Sequence, residues 1–283
     1  MQVYSSKESI REKVDGLKDQ NLSIGFVPTM GALHEGHLTL VRKGLGQNDV
    51  VVVSVFVNPT QFNKKADLDN YPRTLELDIQ LLETVSKNKI FVYAPTVKDI
   101  YNSQIESESF SFDGLEFEME GKFRQGHFDG VGTVVKRLFE IVEPDIAYFG
   151  QKDFQQLMII KKLVDKHQLP VKIVGCKIHR ESNGLAMSSR NERLKPEYKE
   201  AAPFIFKTLK LAKDKFRSQS SSKVTEWVKN QFKKHSLLEL EYFIIADITN
   251  LKPVKRKSSK KHYRAFIAVF AGEIRLIDNI ALN

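Results

Sequence analysis

The chain has 283 residues, 41% of them apolar and 28% charged, a balance that lets it bury a sizeable core with no need of disulfides. Its one cysteine, Cys176, rules out an intramolecular disulfide, fits a reducing compartment, and reads within VKIVGCKI as a small buried hydrophobe. The formal net charge of +9 makes nucleic acid or nucleotide phosphates worth considering, whereas a polar N-terminus and the lack of any run near ~20 apolar residues argue against a leader or a membrane span.

In chain order, LSIGFV (22–27) predicts a strand and HLTLVRKGL (37–45) a helix. VVVSVFV (51–57) is a continuous β-branched and aromatic run, suited to a strand buried on both faces. TLELDIQLLETVS (74–86) has helical spacing, and KIFVYAP (89–95) is a further strand ending in proline. Acidic and aromatic residues alternate in ESESFSFDGLEFEME (106–120), which predicts an inserted hairpin turning near Asp113 and Gly114. Helix 131–142, strand 145–150, helix 154–167 and strand 171–176 follow. Alternating strands and helices predict an α/β domain built on a parallel sheet, with ligands beyond the carboxyl ends of its strands. After residue 178 the pattern changes to helices at 196–217 and 222–236 and strands at 240–247, 262–270 and 273–282. We therefore expect two domains, 1–178 and a smaller α+β domain, 179–283. The basic run KPVKRKSSKK (252–261) reads as a solvated loop between strands.

Four polar motifs follow predicted strands, and a fifth precedes a helix. PTMGALHEGHLTL (28–40) has Gly31 and Gly36 for tight turns, then His34 and His37 on one side of an opening helix. Helix N–H groups and two imidazoles suit phosphate, and would stabilise charge building on phosphorus. FGQKDFQQL (149–157) offers Gly150 for backbone approach, Lys152 for phosphate and Asp153 for ribose hydroxyls. NGLAMSSRN (183–191) reads as a flexible phosphate clamp whose closure would exclude water, or as a plain linker. VNPTQF (57–62) places neutral Asn58 and Gln61 at a strand end, with YPRT (71–74) beyond it. FRQGHFDGV (123–131) supplies Arg124 and His127. There is no Walker A loop, no G-x-G-x-x-G and no nucleophile elbow, and no Cys/His cluster has metal-ligand spacing.

These motifs, in this order over about residues 22–195 with an echo in RLIDNI (275–280), resemble those of the pantothenate synthetases. The His-x-Gly-His element is similar to the nucleotide signature of class I aminoacyl-tRNA synthetases and related nucleotidylyltransferases, and Met-Ser-Ser-Arg to their mobile phosphate loop. The polar N-terminus and the lack of an apolar span lead us to expect a cytoplasmic protein. The resemblance implies a homodimer with a Rossmann-like first domain that binds ATP, with Mg2+ on its phosphates. It implies that pantoate is converted to an acyl-adenylate, which β-alanine then attacks.

By resemblance, His34, His37, Lys152, Ser188, Ser189 and Arg190 contact phosphates, with His37, His34, Lys152 and Arg190 the catalytic groups. Met30, Gly31, Ala32, Leu33, Glu35 and Gly36 belong to the ATP site, as do Gly150, Gln151, Asp153, His179 and Met187. Gln61 and Gln156 would hold pantoate. Gln61, Asn58, Tyr71 and Arg124 would lie near the acyl group or β-alanine. Three positions depart from the family pattern: Gln125 replaces a proline, Asn183 an aspartate, and His179 an apolar residue beside adenine.

Two other readings compete. A nucleotidylyltransferase with another acceptor would share the histidines but not need VNPTQF, YPRT and FQQL together. An RNA-binding module would need aromatics among its basic residues, and Tyr263 is the nearest to KRKSSKK.

Overall fold

The computed structural model describes residues 1–63, 65–102 and 104–283. Two compact units result: Met1–Gln151 with Gln155–Lys177, and Lys152–Phe154 with Ile178–Asn283.

The first unit is built on strands β1 (Gln2–Tyr4), β2 (Ile24–Thr29), β3 (Val50–Val55), β4 (Ile90–Tyr93), β5 (Ile146–Gly150) and β6 (Lys172–Cys176). Its helices are α1 (Lys7–Lys18), α2 (Glu35–Leu45), α3 (Lys65–Asp69), α4 (Leu75–Glu83), α5 (Val97–Tyr101), α6 (Glu120–Phe123), α7 (His127–Val142) and α8 (Phe154–Lys166). The strands form one sheet in the order β1-β4-β3-β2-β5-β6, every pairing parallel. The chain winds one way through β3 and β4 and the other way through β5 and β6, so β2 and β5 flank the point where strand order reverses. Open α/β sheets bind ligands beyond the strand ends at such a point.

Val51, Val52 and Val53 of β3 are fully buried, as a parallel strand covered on both faces requires. Leu38 and Val41 of α2 pack with Val27, Val53 and Tyr148 in one cluster, which fixes α2 against the sheet.

The N-terminal segment forms β1 and α1. Ser6 caps α1 by accepting the Ser9 N–H at 3.1 Å, and Ile10, Val14 and Leu17 bury its apolar face. The hairpin predicted for 106–120 does not form. No strand is present from 104 to 112; instead the backbone N–H groups of Glu108 and Phe110 donate to Thr133 and Asp129 of α7, at 2.8 and 3.0 Å. The turn at Asp113 and Gly114 is there, both at positive φ, but a 3-10 turn (Leu115–Phe117) follows it. Gln155 captures the carbonyls of Leu115 and Glu118 at 2.8 and 2.7 Å, so this stretch has side-chain partners instead of a returning strand.

The second unit contains α9 (Pro196–Ala201), α10 (Phe204–Ser218) and α11 (Ser221–Lys233), and an antiparallel sheet β7-β8-β9 (Leu238–Asp247, Tyr263–Ala271, Ile274–Ala281). The helix predicted over 196–217 is split at Ala202 and Pro203, where proline has no N–H to continue the ladder. Leu209, Phe216, Val228 and Phe232 of the helices share a core with Ile245, Ile267 and Leu276 of the strands. The basic run 252–261 is an irregular, mostly exposed loop. Lys261 pairs with Asp247 at 2.7 Å, and the Lys257 ammonium donates to the Phe216 carbonyl. Among the described residues, no helix is long and apolar enough to cross a membrane.

Candidate active site

Residues 30–34 lead from β2 into α2 through a strained turn. Gly31 and Ala32 both take positive φ, 81° and 50°. A Cβ on Gly31 would stand 3.0 Å from Val55 and 3.1 Å from the Asp78 carboxylate, so both the conformation and the space call for glycine. Two side chains hold the turn. Thr29 Oγ1 donates to the Ser54 carbonyl at 2.7 Å and accepts the Gly31 N–H at 3.1 Å. The buried carboxylate of Asp78, on α4, accepts the N–H groups of Ala32 and Leu33 at 3.1 and 2.7 Å. Burial raises the Asp78 carboxyl above its ordinary pKa, against the opposing pull of those two amides and Thr74. Asp78 was missed by sequence reasoning. Its signal was an acidic residue on the apolar side of a helix, one position before Ile79 and four before the buried Leu82.

Each histidine of the first motif uses Nδ1 to cap α2. His34 is the N-cap, and its Nδ1 accepts the Gly36 N–H at 3.1 Å. The His34 backbone N–H in turn donates to His37 Nδ1 at 3.3 Å. The rings lie 4.1 Å apart, tilted by 36°. A neutral imidazole accepting at Nδ1 carries its proton on Nε2, so both rings are set as Nε2–H donors at a helix N-terminus. Glu35, in the same first turn, pairs with Arg42.

Gln61 ends a short 3-10 turn (Pro59–Gln61) beyond β3. Its side chain touches Met30 and accepts from Asn58 Nδ2 at 3.2 Å. Asn58 is buried and committed to the fold. Its Oδ1 takes the Tyr101 hydroxyl at 2.5 Å and Thr60 at 3.2 Å, while its Nδ2 also reaches the Gly130 carbonyl at 3.1 Å. Arg124 Nη2 and His127 Nδ1 both lie on the Gln61 carbonyl, at 3.2 and 2.9 Å, so motifs far apart in sequence meet there. Gln125, in place of proline, has its carbonyl held by Asn63 Nδ2 at 2.7 Å. Tyr71 stands edge-on to Phe62 at 5.5 Å, and Gln156 is half-buried in the first turn of α8. Nothing lies within 4 Å of where a Cβ on Gly150 would be, so the end of β5 is open.

In the second unit, residues 179–191 close on themselves. Met187 N–H donates to the His179 carbonyl at 3.0 Å, and Glu181 N–H to that of Leu185 at 2.9 Å. Gly184 turns the chain at φ 95°, and Asn183 Oδ1 accepts the Leu185 N–H at 3.0 Å, a turn role that needs no charge. Asn191 Nδ2 ties the far arm to Glu181 at 2.7 Å and to the Ala186 carbonyl at 3.2 Å. Ser188 Oγ accepts the Arg190 N–H at 3.3 Å and caps the turn Ser189–Arg193. His179 enters this hairpin through its backbone. Lys152 and Asp153 belong to the same unit, the Lys152 carbonyl accepting from Asn279 Nδ2 at 2.8 Å.

A parallel sheet whose order reverses beside a glycine turn, followed by a helix N-terminus bearing two imidazole donors, is the arrangement of a Rossmann-like nucleotide-binding enzyme. Residues 2–281 match the family described as pantoate-beta-alanine ligase, and the chain belongs to that family. It is 58% identical to the pantothenate synthetase of Flavobacterium psychrophilum over the whole of both chains, and 54% to that of Christiangramia forsetii, again over both in full. The crystal structure of pantothenate synthetase from Thermus thermophilus superposes with a TM-score of 0.91 at 35% identity, covering 100% of this chain and 99% of that one. The pantoate-beta-alanine ligase of Francisella tularensis, crystallised with beta-gamma ATP and beta-alanine, gives 0.80 at 34% identity, covering 100% and 98%. The chain is accordingly a ligase that joins pantoate to β-alanine.

Proposed function

We propose that the ligation runs through a pantoyl-adenylate. The pantoate carboxylate attacks the α-phosphorus of ATP, the bond to the bridging oxygen breaks, and pyrophosphate leaves. The neutral amine of β-alanine then attacks the acyl carbon, the bond to AMP breaks, and pantothenate and AMP are released. An unactivated carboxylate does not acylate an amine at neutral pH, whereas AMP is a good leaving group. The protein needs no nucleophile for this, only positioning and charge stabilisation.

The observation that carries this reading is the double histidine cap on α2. Two Nε2–H donors at a helix N-terminus suit phosphate oxygens that gain charge during in-line displacement. His34 and His37 therefore act as electrostatic groups toward ATP, joined by Lys152, Ser188, Ser189 and Arg190. Met30, Gly31, Ala32, Leu33 and Gly36 shape the nucleotide site from the β2 turn, with Gly150, Gln151, Asp153, His179 and Met187. Glu35 adjoins it, held by Arg42. Gln61 and Gln156 hold pantoate, Asn58 orients Gln61, and Tyr71 and Arg124 face the acyl group or the incoming amine. The 183–191 hairpin acts as the phosphate-binding flap of the smaller domain.

Magnesium is read as a companion of the nucleotide. Such an ion would be carried by phosphate and water oxygens, which suit this hard cation. When bound, it neutralises phosphate charge. Family likeness supports a homodimer, and one buried thiol suits a cytoplasmic setting.

The test is AMP and pyrophosphate release from ATP with magnesium, adding pantoate and β-alanine singly and together. Pantoate-dependent exchange of labelled pyrophosphate into ATP without β-alanine is expected. Its absence, with pantothenate still formed when both are present, would rule out a free-standing adenylation step.

A further inference from the structure

The RLIDNI segment, singled out in the sequence but given no task by the reaction, lies on β9 at the centre of a buried polar network. Asp278 is 4% exposed and Asn279 2%. The Asp278 carboxylate grips the Arg180 guanidinium with both oxygens, at 2.7 and 2.9 Å, and accepts the Asn279 N–H at 2.7 Å. Arg180 Nη1 also donates to the Gly184 carbonyl at 3.1 Å, and the guanidinium lies 3.5 Å from the Phe206 ring centre. Arg180 is thereby fixed on three sides, and through it the turn of the 183–191 hairpin.

Asn279 works in another direction. Its Nδ2 donates to the Lys152 carbonyl at 2.8 Å, and its Oδ1 accepts from Arg264. Arg264 stacks over Phe154 at 4.2 Å, two residues beyond Lys152. Burial raises the Asp278 carboxyl, while Arg180, the Asn279 amide and the Lys152 charge pull the other way. Two adjacent residues of one strand thus reach both segments of the second unit assigned to the ATP phosphates, neither of which is near β9 in sequence.

We propose that Asp278 and Asn279 are positioning residues for ATP use: Asp278, through Arg180, sets the hairpin that presents Ser188, Ser189 and Arg190, and Asn279, through the Lys152 carbonyl, sets the lysine. The inference rests on the reading that Lys152 and this hairpin contact phosphates. It explains why Asp278 and Asn279 are buried side by side on this strand, where a buried charge costs heavily unless paired. Neither residue touches substrate, so their loss acts on nucleotide binding and turnover through displaced neighbours.

The experiment compares Asn279→Asp, Asp278→Asn, Arg180→Lys and Lys152→Ala with the parent, by AMP release at varied ATP, pantoate and β-alanine and by thermal unfolding. Asn279→Asp keeps an acceptor for Arg264 and puts a carboxylate oxygen, which cannot donate, where the amide donated to the Lys152 carbonyl. Arg180→Lys keeps a charge beside Asp278 but cannot hold both carboxylate oxygens and Gly184. Arg180→Lys should raise KM for ATP about tenfold or more, the size expected for a lost hydrogen bond to a charged group, and Asn279→Asp by at least about threefold, with KM for pantoate within about twofold in both. A merely structural role would lower the active fraction and Tm and leave KM for ATP unchanged; that outcome overturns the proposal. Should the β9 variants not fold, Arg180→Lys decides the Asp278 arm, and Arg264→Lys, which loosens the hold on Asn279 Oδ1, decides the Asn279 arm, each by the same criterion. If Lys152→Ala itself keeps the parent KM for ATP, the assignment of Lys152 to phosphate falls, and the proposal with it. If Lys152→Ala loses ATP use while the other three keep it, only the positioning role fails.

Discussion

Asp78 accepts the backbone N–H of Leu33 at 2.7 Å, which puts a buried carboxylate of α4 directly beneath the turn that delivers His34 and His37. Replacing it by asparagine keeps one acceptor oxygen but turns an amide NH2 toward the other of the two backbone N–H groups. Asp78→Asn should cost roughly 1–3 kcal/mol of stability and cut AMP formation by about tenfold or more. The pH dependence has a definite sign. A carboxyl raised on folding takes up a proton as the chain folds, so its share of stability declines as pH rises from about 4, the ordinary carboxylate value, through the raised one. Urea unfolding across that range should show the decline in the parent and a flatter profile in the variant.

His37→Ala removes an Nε2–H donor and the acceptor for the His34 N–H. The cap loss should cost about 1 kcal/mol, which a core of this size tolerates. Pyrophosphate formation should fall by roughly 10²–10³. A folded variant that releases pyrophosphate at the parent rate would remove His37 from the phosphate site.

Gln61→Ala leaves the β2 turn and the histidine cap in place. KM for pantoate should rise by about tenfold, with KM for ATP close to the parent's. Steady-state kinetics with each substrate varied in turn reads the difference, and an unchanged pantoate KM would take Gln61 out of the site.

Gly130 lies against the backbone of the Pro59–Gln61 turn. A Cβ there would meet the Thr60 carbonyl oxygen at 2.5 Å and the Gln61 nitrogen at 2.9 Å, and backbone cannot swing aside as a side chain can. Gly130→Ala should lose about 1–3 kcal/mol of stability and reproduce the Gln61→Ala kinetics, although it adds only a methyl group. Unaltered KM for pantoate in this variant would show that the turn absorbs the strain.

In the second unit, burial works against the Asp247 carboxylate, but bonds from Lys261 and Thr249 outweigh it and hold its pKa down at about 2. A carboxyl lowered on folding stabilises above its ordinary pKa, and that share is lost as pH falls from about 4 towards 2. Lys261→Ala should therefore unfold more easily than the parent at neutral pH, with the gap closing in acid. A gap in Tm that stays constant from neutral to strongly acid solution would show that the pair adds nothing through its charge.

Most of the first unit was legible because its strands are short apolar runs and its helices periodic; β3 and α8 are cases of each. The 106–120 stretch misled because alternation marks a half-buried extended chain, and α7 with Gln155 can cover such a chain as well as a second strand can. The helix α1 was passed over although Ile10, Val14 and Leu17 have its spacing. Among the candidate site residues, the place of His34 and His37 at the start of a helix after a strand was readable from the glycine spacing. Asp78 and Asn279 were not, because each acts on a backbone amide or carbonyl remote in sequence, and one sequence carries no mark of such pairs. Asn58 was read as facing substrate, and the structure shows its polar atoms engaged by Tyr101, Thr60, Gly130 and Gln61.

The lone thiol has a practical corollary. Cys176 is 5% exposed, and burial pushes its pKa up, so little reactive thiolate is offered to a thiol-directed reagent at neutral pH. The parent chain is thus close to silent toward maleimides, and a cysteine introduced at an exposed position would be the main point of attachment. Fluorophores or spin labels placed at Glu192 and on α2 at Lys43 could follow the 183–191 hairpin during turnover with no prior removal of the native thiol.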